Sequence, residues 1–156
     1  MSEKTNERRR LRFACEDDAL AELARLRKGC RPLKNWSMAQ ICWHLSFALK
    51  FMSPPASPIP TPQEAAAKAG FIDLILKTGR PPPGFEAPPE TVPPSGCVDG
   101  EIDRLETALP QLKAYPHPLV GMGPFGPVPI LEYRQFNLGH IAHHLGYLVP
   151  TERVST

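Results

Sequence analysis

The sequence predicts an all-α fold: four main helices, with one extra helix carried in a long proline-rich crossover. Three observations predict it. Apolar residues recur every three to four positions in separate segments, as one buried face of a helix requires. No stretch of any length alternates apolar and polar residues as a half-buried strand would. Proline is concentrated rather than spread: of 20 prolines, 12 fall between Pro54 and Pro94, where about one residue in twenty is usual. Patterned apolar segments flank that stretch on both sides, so it reads as a stiffened connection spanning about residues 53–99 and not as a disordered chain. The 156 residues are expected to form a single domain, 1–156, with a core from about 13 to 149.

The first helix is expected from about Asp17 to Arg27. Glu16, Asp17 and Asp18 suit its positive end, Leu20, Leu23, Ala24 and Leu26 give it an apolar side, and Gly29 follows as a stop. The second opens on Ser37-Met38-Ala39-Gln40, a capping box in which Ser37 caps and Gln40 reaches back. It should run to about Met52, ahead of Pro54-Pro55, on a stripe of Ile41, Leu45, Ala48 and Met52, with His44 inside the stripe. A third helix, Pro62 to about Lys77, has Thr61 as cap and Gly79 as stop, and lies within the crossover. The fourth, about Gly100 to Lys113, has Asp99 as cap and buries Ile102, Leu105, Leu109 and Leu112, with Pro110 placed to kink or shorten it. The last runs from about Pro129 to Leu148 and is stopped by Pro150.

The charge balance selects no polyanionic partner. Formal net charge is +2, and the one basic run, Arg8-Arg9-Arg10-Leu11-Arg12, has no interleaved aromatics. It reads as a solvated, partly frayed end and not as a nucleic-acid site. Met1 to Asn6 contains no apolar stretch of a signal peptide, and no apolar run reaches bilayer length, so a cytoplasmic protein without membrane contacts is expected. Cys15, Cys30, Cys42 and Cys97 contain no CxxC pair and are expected as free thiols.

The chemistry lies in Tyr133-Arg134-Gln135-Phe136-Asn137-Leu138-Gly139-His140-Ile141-Ala142-His143-His144. Helix residues four apart stand one above the other, so His140 and His144 present a chelating pair on one face. Ile141 stands where a zinc protease would carry its glutamate. Asn137 and Tyr133 continue the same stripe beside the apolar line Leu138, Ile141, Leu145 and Leu148. His44 is the natural third ligand, because an imidazole in a core stripe needs a partner in any case. His143, three residues after His140, also has a chelating spacing; the apolar pattern favours His144, and the sequence alone does not exclude a swap. Three neutral imidazoles leave a divalent ion its full double charge and so favour an anionic fourth ligand, hydroxide or thiolate. The plainer reading is a polar core of hydrogen-bonded histidines in a structural or small-ligand-binding helical protein. Weaker candidates are His117, an acid/base or substrate contact from its proline-flanked loop, and Gln40, Tyr133 and Asn137, which would orient ligands or contact substrate. Glu132 and Arg134 read as surface charges.

The stretch Asn35-Trp36-Ser37-Met38-Ala39-Gln40-Ile41-Cys42-Trp43-His44-Leu45 resembles the second helix of the DinB/YfiT-like superfamily. The His140–His144 pair resembles that superfamily's last-helix His-x-x-x-His. His117-Pro118 followed by His140-Ile141-Ala142-His143-His144-Leu145 is similar to an uncharacterised branch with a HP…HxxHHL pattern. The resemblance spans about residues 10–148. It implies a four-helix bundle of up-down-down-up topology and a zinc or nickel site of His44, His140 and His144. It also implies frequent homodimers and activities such as thiol-dependent transfer or isomerisation with a low-molecular-weight thiol. Metal-assisted hydrolysis of a small molecule is the second reaction class. The proline-rich crossover departs from the plainer members.

Overall fold

The computed structural model describes residues 7–85 and 87–151; the reading of Met1–Asn6 falls outside them. The chain is mostly helical. In order it forms α1 (Glu16–Arg27), β1 (Cys30–Pro32), α2 (Met38–Leu49), α3 (Pro62–Gly70), α4 (Ile72–Thr78), α5 (Gly100–Lys113), β2 (Leu119–Gly121), β3 (Pro127–Pro129), α6 (Ile130–Leu145) and β4 (Leu148–Pro150). The purely α expectation is corrected by the strands, which make two antiparallel pairs, β1 with β4 and β2 with β3. Each strand is three residues long, too short for any alternation to register in a sequence.

Helices α1, α2, α5 and α6 pack against one another around one core that includes Leu23, Leu26, Ile41, Leu45, Leu105, Leu109, Leu112, Ile141 and Leu145. The stripe expected on α5 is buried as read, and Pro110 does not shorten that helix, which continues to Lys113. On α2 the buried line is Met38, Ile41, Cys42, Leu45 and Leu49, while Ala48 is exposed; on α1, Ala19 is buried and Ala24 is not. Both capping boxes close. Ser37 Oγ accepts from the Gln40 amide at 3.2 Å, and Thr61 Oγ1 from the Glu64 amide at 3.1 Å. Asp99, expected as a cap, has helical backbone angles and makes no side-chain cap bond.

Three helix boundaries differ for tertiary reasons. The helix expected from Pro62 to Lys77 breaks at Phe71 (φ −125°, ψ −66°). The Phe71 ring there meets Phe85, Phe125 and Phe136 at centroid distances of 4.6, 5.2 and 6.2 Å. Helix α2 ends at Leu49, short of Met52; the chain beyond it meets the β2–β3 hairpin, the Gly121 amide donating to the Ser53 carbonyl at 2.8 Å. Helix α6 ends at Leu145, because Leu148–Pro150 turns away to pair with Cys30–Pro32.

The basic run is not frayed from Arg9 onward. The Arg9 amide donates to the Gly146 carbonyl at 2.8 Å, and its guanidinium reaches the Leu148 carbonyl (2.7 Å) and Glu22 (2.7 Å). This strap crosses the exit of α6 so closely that a Cβ on Gly146 would overlap the Arg9 carbonyl oxygen. Arg134, read as a surface charge, instead pairs with Glu16 through two bonds of 2.8 and 2.6 Å, and Glu16 is fully buried. Glu132 is paired with Lys68 at 2.9 Å.

Burial alone would raise the Glu16 pKa, but the Arg134 hydrogen bonds, a backbone hydrogen bond and the charges of Arg134 and Lys113 together outweigh it and hold the carboxyl below its ordinary 4.5. Its stabilising contribution is therefore fully present above that value and lost as pH falls through the lower, folded one. Glu16→Ala is expected to cost about 2–3 kcal/mol, because it strands a partly buried guanidinium. Urea unfolding at neutral pH measures this; a change below about 0.5 kcal/mol would assign the pair no structural role.

Candidate metal centre

Two helices supply the site. On α6, His140 and His144 stand one turn apart, and α2 places His44 opposite them. One nitrogen from each of the three rings lies within 4.8 Å of the other two. His44 is 7% exposed, and His140 and His144 are half-buried, so the cluster has a closed floor and an accessible side. His143, the alternative left open by spacing, lies outside the group; it is exposed and meets Tyr147 edge-on at 5.5 Å.

The tautomer of His44 follows from its partners. Its Nδ1 is 2.7 Å from the Thr91 carbonyl oxygen, which can only accept, so Nδ1 carries the proton and the neutral ring keeps a lone pair on Nε2. That Nε2 lies 3.1 Å from His140 Nε2. Two imidazoles on a tetrahedral ion, at metal–nitrogen distances of about 2.0–2.1 Å, would have their nitrogens roughly 3.3 Å apart. The His44–His140 pair is thus already at coordination spacing, and the carbonyl behind His44 is the outer partner that metal-binding histidines characteristically have. The three residues fit a divalent ion.

Aromatic rings wall the cluster. Trp36 stacks on His144 (5.9 Å, 20°) and leans on His44 (5.1 Å); Phe136 stacks on His140 at 6.3 Å. Burial among them pushes the imidazole pKa values down, His140 to about 3 and His144 to about 2, with the neighbouring histidines adding to the effect. For His44, burial lowers the pKa and the Thr91 bond opposes it. All three are neutral at physiological pH, the state a metal ligand needs and a general base at neutral pH would not have tuned so far.

The remaining candidates fall elsewhere. Gln40 completes its capping box and donates to the Pro94 carbonyl at 3.3 Å, tying the crossover to α2 one turn before His44. Tyr133 donates to the Ala48 carbonyl (3.4 Å), and Asn137 to the Tyr133 carbonyl (2.8 Å). Both are buried braces without a hydrogen bond to the three rings among the described residues. His117 is exposed and rests edge-on against Tyr115 at 5.4 Å. Cys42 is fully buried, and burial pushes its thiol up to about 12. A groove of about 530 Å³ lies away from the histidines, its lining including Trp43, Phe47, Lys50 and Arg104. Trp36, Phe136 and the Thr91 carbonyl had no separate sequence signal as site residues. The first is visible only as part of Asn35-Trp36-Ser37, and a backbone carbonyl has no signature at all.

Fold and site together define a mostly helical protein with a three-histidine centre shared by two of its helices. A family described as "Protein of unknown function (DUF1569)" matches residues 5–151, and the chain belongs to that family. No curated protein and no solved structure matches it. Among the described residues, no helix is long and apolar enough to cross a membrane.

In metal-free protein the depressed imidazole pKa values make acid destabilising. Below the ordinary value of 6.5 the unfolded chain takes up protons that the folded triad refuses, so stability falls from about there down to the folded values near 3 and 2. Chelator-treated protein is expected to lose stability in urea between pH 7 and pH 5, with less loss in His144→Leu. Equal pH slopes for the two proteins would contradict the burial assigned to His144.

Proposed function

We propose that this chain is a metal-dependent enzyme of the DinB/YfiT-like superfamily, a four-helix bundle of up-down-down-up topology with zinc or nickel held by His44, His140 and His144. One observation carries the reading: three neutral imidazoles from two helices converge within 4.8 Å, one of them already oriented by a backbone carbonyl at 2.7 Å. When bound, the ion supplies an open position at which a thiol or water becomes acidic and an electrophile is polarised.

The chain's own groups then bind and orient. Half-buried His140 and His144 leave one side of the cluster accessible, while Trp36 and Phe136 flank it with flat apolar surface. Among the described residues the cluster contains no carboxylate. A hydrolase commonly uses one as general base beside its metal, whereas a thiol activated by the ion needs none. That difference ranks thiol-dependent transfer to a small electrophilic substrate first and metal-assisted hydrolysis second. The short Nε2–Nε2 contact of 3.1 Å also supports a second reading, a non-catalytic helical protein with a histidine polar core.

Metal analysis of protein purified without an affinity tag or chelator separates the two. About one zinc or nickel per chain is expected. His140→Ala and His144→Ala should lose it, by more than the 10–100-fold that removing an outer partner costs, and His143→Ala should keep it. Protein that holds no metal and takes none up would overturn the enzyme reading in favour of the polar core.

A further inference from the structure

The face of α6 that carries the histidines has two unlike ends. Phe136, His140 and His144 succeed one another at four-residue spacing, and Tyr147 follows just past the helix. The Phe136 end is aromatic, continued by Phe71 at 6.2 Å and, beyond it, Phe85 and Phe125. At the other end lie two cations, Lys34 and Arg8. Lys34 lies with Nζ 4.8 Å from the Tyr147 ring centre, beside the Leu33 amide that donates to the Tyr147 carbonyl at 2.8 Å. Arg8 packs on Gly146, where an added Cβ would come within 2.8 Å of Arg8 Cγ. Neither has a carboxylate within ion-pair distance among the described residues, although the adjacent Arg9 is paired with Glu22. Ring contacts run from Lys34 through Tyr147 and His143 to His144. Both cations bear electrostatically on His143, and Arg8 also on His144.

We propose that Arg8 and Lys34 form an anion subsite for the ligand of the metal centre, which is a small thiol bearing a carboxylate. Resting on the metal-dependent reading above, the inference gives that thiol an orientation. Its carboxylate docks at Arg8 and Lys34, its sulfur reaches the three histidines, and the apolar co-substrate lies on the Phe136 side. Cations with no carboxylate partner among the described residues, next to a half-buried cluster walled by aromatic rings, attract an anion, and that attraction is screened by salt.

The test loads the protein with cobalt and follows its absorption as mercaptopropionate, mercaptoethanol or cysteamine is added. These thiols are anionic, neutral and cationic. Their intrinsic thiol acidities cancel when ratios are compared between proteins. Wild type is expected to favour mercaptopropionate over mercaptoethanol, and Arg8→Gln/Lys34→Gln to shrink that ratio about tenfold. Arg8→Glu/Lys34→Glu should shift the preference toward cysteamine. Cobalt uptake should be unchanged in both double variants, since neither residue is a ligand. Cobalt binding with no preference in wild type, or a preference that survives in both variants, would overturn the subsite and leave the metal centre standing. Failure of wild type to take up cobalt would overturn the metal reading, and this inference with it.

Discussion

A buried imidazole has two nitrogens, and each must find a partner or cost the molecule a lost hydrogen bond. In His44 the Thr91 carbonyl takes one and the His140 ring meets the other. This double requirement links distant parts of the chain. Thr91 sits in a single 3₁₀ turn, Pro89–Thr91, deep in the proline-rich crossover, so His44 engages that segment directly. Gln40, one turn earlier on α2, holds Pro94 in the same way. The crossover is therefore an outer wall of the site, and its prolines keep it extended at little entropic cost.

The opposite wall depends on the β1–β4 pair. Three residues after α1 and three after α6 form a ladder, and this fixes the connection between α1 and α2 against the end of α6. Trp36 is thereby brought onto His144 and Lys34 onto Tyr147. The Arg9 strap crosses the same exit. A site whose metal-binding atoms come from two helices is thus shaped by three non-helical segments: the N-terminal strap, the β1–α2 connection and the crossover.

What the sequence disclosed was local. The four-residue spacing of His140 and His144, the Ser37 capping box and the α5 stripe are each written within one helix or at its start. Their physics involves only neighbours along the chain. The apolar pattern favoured His144 over His143, but excluding His143 needed the position of α2, because both spacings chelate. Glu16–Arg134 and Trp36–His144 join residues more than a hundred positions apart, and no periodicity encodes such pairs. The break at Phe71 is of the same kind: Gly70 weakens the helix there, but the aromatic cluster that captures the ring is assembled from α6, the loop after α4 and the β2–β3 hairpin. Strands of three residues, three of the four ending in proline, gave no pattern to read.

The depth of the histidine cluster bears on what it is suited to do. Imidazoles that stay neutral down to pH values near 3 or 2 are poor proton acceptors at neutral pH, since catalysis by a general base is most effective when its pKa lies near the working pH. As neutral lone-pair donors they lose nothing, because an ion competing with a proton for each nitrogen meets weak competition. A polar core would need only hydrogen bonds, and two rings suffice for the observed contact between His44 and His140. The third ring, His144, has no hydrogen bond to the other two; it stands within 4.8 Å of both with Trp36 stacked on its face. A stacked imidazole set edge-to-face with two others is poorly explained by hydrogen bonding alone, and well explained if the three nitrogens share one ion.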